Sequence, residues 1–170
     1  DKSRLDYQKT RQQLAKWTAI DYSLRHAEPH YANIKPRIII EHFLGTESGK
    51  VPTEYNIHCF HGEPKIIELV LERNTPKEQS VMLTPDWRNT HYIEKKFAYD
   101  EMKSKPKQLE ELLAIARQLS KAFTYVRVDL SIVDEAIYFG ELTFTPAACL
   151  VREIHEQANF ELGQWLKLEH

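Results

Sequence analysis

Four residues in the stretch RVDLSIVDEAIYFGELTFTP, residues 127–146, have types and spacing suited to chemistry. Arg127 and Asp129 stand two positions apart, and so do Glu141 and Thr143. Side chains on a strand alternate faces with a period of two, so each pair shares a face. Val126, Val128, Leu130, Leu142 and Phe144 take the opposite face. If the two strands form a hairpin that sets Asp129 opposite Glu141, Arg127 faces Thr143. Opposed Cβ atoms lie about 4.5–5.5 Å apart, and two carboxylates that close repel unless a cation sits between them. Mg2+ takes oxygen ligands, typically one or two carboxylates with phosphate and water. The planar donor fork of an arginine matches phosphate oxygens, and Thr143 adds a hydroxyl. From the hairpin alone two readings stand. One is a solvated sheet face on which Arg127 neutralises both acids. The other is a metal–phosphate site. Ile137 and Phe139, assigned to the same face, argue for a partly covered surface, where charges need partners.

Other elements must position this hairpin. Leu5, Leu14 and Trp17 are spaced for one helical stripe over residues 3–17, and a second short helix over 21–26 is stopped by Pro29. Ile38, Ile39 and Ile40 form a β-branched run that predicts a strand buried on both faces. EYNIHCFHGEPKIIELVLER reads as two strands around a tight turn at residues 61–64. Residues 80–83 suggest a short strand, followed by an irregular aromatic segment that wraps the surface. Its Trp87, Tyr92, Phe97 and Tyr99 are expected to pack. QLEELLAIARQLSKAF is the clearest helix, with Leu109, Leu112, Leu113, Ala116 and Leu119 on one stripe. Residues 151–165 read as a partly helical tail. Strands outnumber crossover helices, which predicts an α+β fold, mainly an antiparallel sheet with helices packed on one side.

The bulk numbers narrow the function classes. The chain has 170 residues, enough for one domain or one piece of a larger one. Its net charge of −2 gives no positive field to recruit nucleic acid. The basic cluster KSKPK, residues 103–107, reads as a solvated loop. No apolar run reaches the length of a membrane span. Two cysteines, Cys59 and Cys149, suit a reducing, cytoplasmic compartment, and Cys59 sits in a strand as a small core residue. His42, His58 and His61 have spacings that fit no standard zinc site. The five glycines form neither GxGxxG nor a P-loop, so if the chain binds a nucleotide, its phosphate-covering loop is expected outside this chain or built differently. Residues 1–168 are expected to be a single domain, and 169–170 a tag remnant.

With those segments in place, the chain resembles the TupA-like ATP-grasp family of cell-surface polysaccharide (teichuronopeptide) biosynthesis. The resemblance covers roughly residues 28 to 165. It is carried by KPRIIIE, CFHGEPK, RVDL and FGELTF, in that order. It implies an ATP-grasp-like C-terminal subdomain, the C-terminal half of a larger enzyme, with ATP and Mg2+ as cofactors. Asp129 and Glu141, with Thr143, would hold the metal, and Arg127 would bind the triphosphate. Ile40, Glu41, His42 and Phe43 would form the hinge that reads adenine, and Glu54 would meet the ribose hydroxyls. Lys35 or Arg37 would reach toward phosphates or an acidic substrate. Two departures stand out: Thr143 replaces the usual Asn, and Ala147 the usual Gly after the proline. The implied activity is carboxylate–amine ligation through an acyl-phosphate. The substrates would be a small-molecule or glycan carboxylate and an amino-acid amine. The alternative is a non-catalytic ATP-grasp-like module that binds nucleotide weakly or acts as a scaffold.

Overall fold

A computed structural model gives the fold. It describes residues 2–42, 44, 52–71, 76–99, 101 and 103–168. The chain divides into two compact units, Asp1–Phe43 with Ala147–Cys149, and Leu44–Pro146 with Leu150–His170.

The described residues of the first unit include the α-helices α1 (Tyr7–Thr18) and α2 (Tyr22–His26). Both begin where an aspartate caps them. Asp6 accepts from the Lys9 N–H at 3.0 Å and Asp21 from the Leu24 N–H at 3.2 Å, each satisfying a donor the helix leaves open. The Ser23 hydroxyl, donating to Asp21, and that Leu24 N–H hold the Asp21 carboxyl below its ordinary range. Ala27 closes α2 in the left-handed conformation at φ 56°, and Pro29 follows. Ile38–Ile40 form no strand. They pair with no described residue, and they are 45, 80 and 88% exposed, so the expected buried strand is not there. β-branched residues fit a pleated surface but do not create one; among the described residues the run has no strand beside it.

The second unit is built on a five-stranded sheet in the order β3-β2-β1-β4-β5, antiparallel throughout. The strands are β1 (Glu54–Phe60), β2 (Glu63–Leu71), β3 (Gln79–Leu83), β4 (Tyr125–Val133) and β5 (Ala136–Thr143). The β1–β2 turn is the pair His61–Gly62, both at positive φ, as a two-residue hairpin loop requires. Gly62 is needed twice over: its φ is +80°, and a Cβ there would meet Lys121 Cα at 3.2 Å. The β4–β5 turn, Asp134–Glu135, takes the same backbone with φ of 49° and 66° and no glycine. The Gln108 side-chain amide steadies that tip by donating to the Glu135 carbonyl at 3.1 Å.

Helix α3 (Leu109–Ser120) lies on one face of the sheet. Its stripe of Leu109, Leu112, Leu113 and Ala116 meets Tyr55, Ile57, Cys59, Ile67, Leu69, Val126, Val128 and Leu130. Each large side chain buried there contributes about 1.5–3 kcal/mol relative to exposure. Cys59 is part of this core as expected, and burial pushes its thiol up to about 11. Trp87 joins the same core and donates its Nε1–H to the Lys103 carbonyl at 2.8 Å. The tail forms α4 (Glu156–Trp165), capped by the His155 ring. Ile154 and Ala158 pack with Ile66, Met82 and Ile93, and Tyr92 and Phe97 lie against them. That cluster covers the β2–β3 end of the other sheet face. Beside it the same face carries Asn56, His58, Glu68, Arg127, Asp129 and Thr143.

Candidate functional site

The polar face starts from strand register. Val126, Val128 and Leu130 turn toward α3, so Arg127 and Asp129 must turn away. Arg127 pairs with Thr143 as the hairpin spacing predicts, but Asp129 does not pair with Glu141 in simple register. Val128 pairs with Leu142 and Leu130 with Phe139, so Gly140 and Glu141 together oppose Asp129. This is a β-bulge on β5. Gly140 permits it, since a Cβ there would lie 3.1 Å from the Asp129 carbonyl oxygen. The bulge also moves the apolar neighbours. Ile137 packs against the α3 core and Phe139 is 56% exposed, so neither forms the cover the sequence suggested.

The charges instead sit in a lane that crosses four strands. Glu68 on β2 pairs with Asn56 on β1, and Asn56 with Asp129 on β4. Asp129 faces the bulge that carries Glu141. One step along, Ile66, His58, Arg127 and Thr143 form the adjacent row. Arg127 holds Asp129 through a fork, Nε donating to Oδ1 at 2.7 Å and Nη2 to Oδ2 at 2.6 Å. The same Nη2 reaches Thr143 Oγ1 at 3.3 Å and Glu141 Oε1 at 3.5 Å. Thr143 donates to Glu141 Oε1 at 3.0 Å. His58 joins Tyr125 Oη at 2.9 Å through Nδ1 and Glu68 Oε2 at 3.4 Å through Nε2.

Burial decides the electrostatics. Asp129 is 1% exposed. Desolvation pushes its carboxyl above the ordinary range; Arg127 pulls it back, and the Glu54 and Glu141 charges push it further up. Desolvation also works against the Glu68 charge, but His58, Arg127 and the Asn56 amide outweigh it and leave that carboxyl low. Arg127 stays charged, since Asp129, Glu68 and Tyr125 more than offset its own burial. Asn56 is also 1% exposed, and its Oδ1 has no hydrogen-bond partner among the described residues.

The donor set suits a hard cation. Two carboxylates, a hydroxyl and an orphaned amide oxygen are all oxygen ligands, the kind Mg2+ takes. The Arg127 fork occupies one lone pair on each Asp129 oxygen, and a carboxylate offers about four such sites. Among the described residues no group of three or more His, Cys, Asp or Glu is arranged to hold a metal, so any ion here needs the neutral oxygens as well.

The sheet thus brings together Arg127, Asp129, Glu141 and Thr143, and sets Glu54 at the start of β1 on the same face. Lys35, Arg37, Ile40, Glu41 and His42 belong to the first unit and are exposed; Phe43 lies outside the described residues. Ala147, standing where the resemblance expects glycine, has φ 47°, in the left-handed region that favours glycine. Sequence reasoning missed Asn56, Glu68 and the role of His58. Their alternation, Glu54, Asn56 and His58 against Tyr55, Ile57 and Cys59, was the signal for a polar face on β1.

The sequence model of the TupA-like ATPgrasp family matches residues 1–167. The five-stranded antiparallel sheet with its helices is an α+β arrangement consistent with an ATP-grasp-like subdomain. The chain belongs to the TupA-like ATPgrasp family. No curated protein and no solved structure matches it. Membership carries an ATP-grasp-type function, and proteins of this kind generally bind ATP with Mg2+ and act on small-molecule substrates. No helix among the described residues is long and apolar enough to cross a membrane.

Proposed function

We propose that the lane is the Mg2+- and triphosphate-binding face of an ATP-dependent carboxylate–amine ligase. The observation that carries this is the Arg127 fork on Asp129 beside Glu141 and Thr143, an anion reader and oxygen donors on one sheet face. In this reading residues 1–168 act as one ATP-grasp-like domain, the C-terminal half of a longer enzyme. Asp129, Glu141 and Thr143 would hold the cation. Glu54 would accept from the ribose hydroxyls, and residues 40–43, Ile40, Glu41, His42 and Phe43, would line the adenine. Lys35 and Arg37 would meet phosphates or an acidic substrate.

The cation, when bound, supplies charge neutralisation and a template for the phosphate oxygens. The acceptor carboxylate attacks the γ-phosphorus and ADP leaves, giving an acyl-phosphate. The amine then attacks the acyl carbon, phosphate leaves, and the nitrogen gives up a proton as the amide forms. Arg127 orients the phosphate and stabilises charge on the transferred group; no protein nucleophile is required. Family resemblance supports a glycan or small-molecule carboxylate as acceptor, an amino acid as amine, and a place in cell-surface polysaccharide biosynthesis in the cytoplasm. Calorimetric titration of Mg·ATP tests the reading. Binding that is lost in Asp129→Asn and Glu141→Gln, with the fold intact, is expected. Absence of binding by the complete gene product would favour a non-catalytic module instead.

A further inference from the structure

Asn56 has no role in the proposed chemistry, yet it lies at the centre of the lane. A buried amide oxygen without a donor costs about 1–3 kcal/mol, so its presence calls for a partner. Chemistry fixes its orientation. The amide N–H end serves Glu68, and turning the amide over would set oxygen against that carboxylate. This leaves Oδ1 for the other side of the lane, where Asp129 stands in register. Among the described residues none donates to it. The Asp129 oxygens accept from Arg127, and ionised Glu68 only accepts. An acceptor placed among carboxylates is suited to a cation.

We propose that Asn56 Oδ1 is an oxygen ligand of the divalent cation held by Asp129 and Glu141. The inference rests on the Mg·nucleotide reading and extends it: the donor set would span β1, β4 and β5. Asn56 would supply the neutral amide oxygen that the Thr143 hydroxyl replaces on β5. A cation gains more from an amide oxygen than from an unfilled position, and the amide loses its desolvation penalty when the ion binds.

The test uses Mn2+ as the probe, with ATP present, and reads the loss of the free-ion signal by electron paramagnetic resonance beside thermal melts. Asn56→Leu is expected to weaken Mn2+ about tenfold while leaving the metal-free melting temperature equal or higher. Asn56→Asp is expected to tighten Mn2+ and to lower the metal-free melting temperature, with Mn2+ restoring it by a larger shift than in the native chain. Native-like Mn2+ affinity in Asn56→Leu, while Asp129→Asn has lost it, would overturn the role of Asn56 and leave the ligase reading standing. Failure of the native chain to take up Mn2+ with ATP would remove both. If Asn56→Leu does not fold, Asn56→Asp decides: affinity unchanged or weaker overturns the proposal.

Discussion

Arg127 grips both oxygens of Asp129, Nε on Oδ1 at 2.7 Å and Nη2 on Oδ2 at 2.6 Å, and the carboxylate is 1% exposed. Neither charge tolerates losing the other, because a single buried ion has no compensation. Arg127→Met is expected to lower unfolding free energy by about 3 kcal/mol, toward the low end for buried pairs because the guanidinium keeps some exposure. Pairing it with Asp129→Leu should recover most of that. Urea denaturation of both variants measures the recovery, and an equally unstable double variant would show that packing, not charge, holds this part of the lane.

In the Mg·nucleotide reading the same grip would set how cation and nucleotide bind together. In that reading a cation on Asp129 would compete with the fork for its oxygens, and a phosphate would give Arg127 a new anion. Binding of the two is therefore expected to be cooperative and reciprocal. Calorimetry with Mg2+ alone should show affinity at least about fivefold weaker than with ATP present, a coupling in the usual range. Independent affinities would mean that Arg127 does not exchange partners.

Glu68 and Asp129 predict opposite pH responses. The Glu68 carboxyl lies below its ordinary 4.5, so its contribution is complete above that value and is lost as pH falls through its folded value. The Asp129 carboxyl lies above its ordinary 3.8, so the folded state holds its proton longer; that contribution is complete below 3.8 and is lost as pH rises through the folded value. Melting temperatures between pH 3 and 7 are expected to fall less steeply on the acid side in Glu68→Gln than in the native chain. A steeper acid limb in that variant would reverse the sign assigned to Glu68.

Gly140 controls the distance between the two candidate metal ligands. A methyl at that position meets the Asp129 carbonyl oxygen at 3.1 Å, so β5 must give way or the bulge must open. Gly140→Ala is expected to cost about 1–2 kcal/mol, the range for strained substitutions, and to weaken Mn2+ binding although no ligand is removed. Unchanged metal affinity would mean that Glu141 can be positioned without the bulge.

Exposure separates the isoleucine run from the core. Ile39→Ser and Ile40→Ser are expected to change stability by less than about 0.5 kcal/mol. Leu112→Ala, at a fully buried position of α3, is expected to cost about 2–5 kcal/mol. Chemical denaturation of the chain gives both numbers, and a large loss at Ile40 would restore the buried strand.

Much of this fold was legible because its signals are local. The α3 stripe, the two hairpins and the alternation on β4 each lie within one segment and follow from period and turn chemistry. The isoleucine run failed for the complementary reason: burial on both faces depends on partners that the run does not specify. The Gly140 bulge escaped because one extra residue shifts register without changing composition. The link from Glu68 through Asn56 to Asp129 escaped because it depends on β4 lying beside β1, which periodicity within a strand does not encode. Arg127, Asp129, Glu141 and Thr143 were readable because two adjacent strands carry them all.

The lane draws its members from residue 56 to residue 141, two tight hairpins brought side by side across the long stretch of chain between β2 and β4. The β1–β4 pairing has high contact order and forms only after the entropy of closing that large loop has been met. A peptide of residues 127–146 would carry the whole motif and still lack the lane, because Asn56 and Glu68 arrive only when β1 and β2 dock. Ligand affinity and completion of the sheet therefore rise in the same kinetic step, and slow-folding variants should gain binding no faster than they gain the sheet.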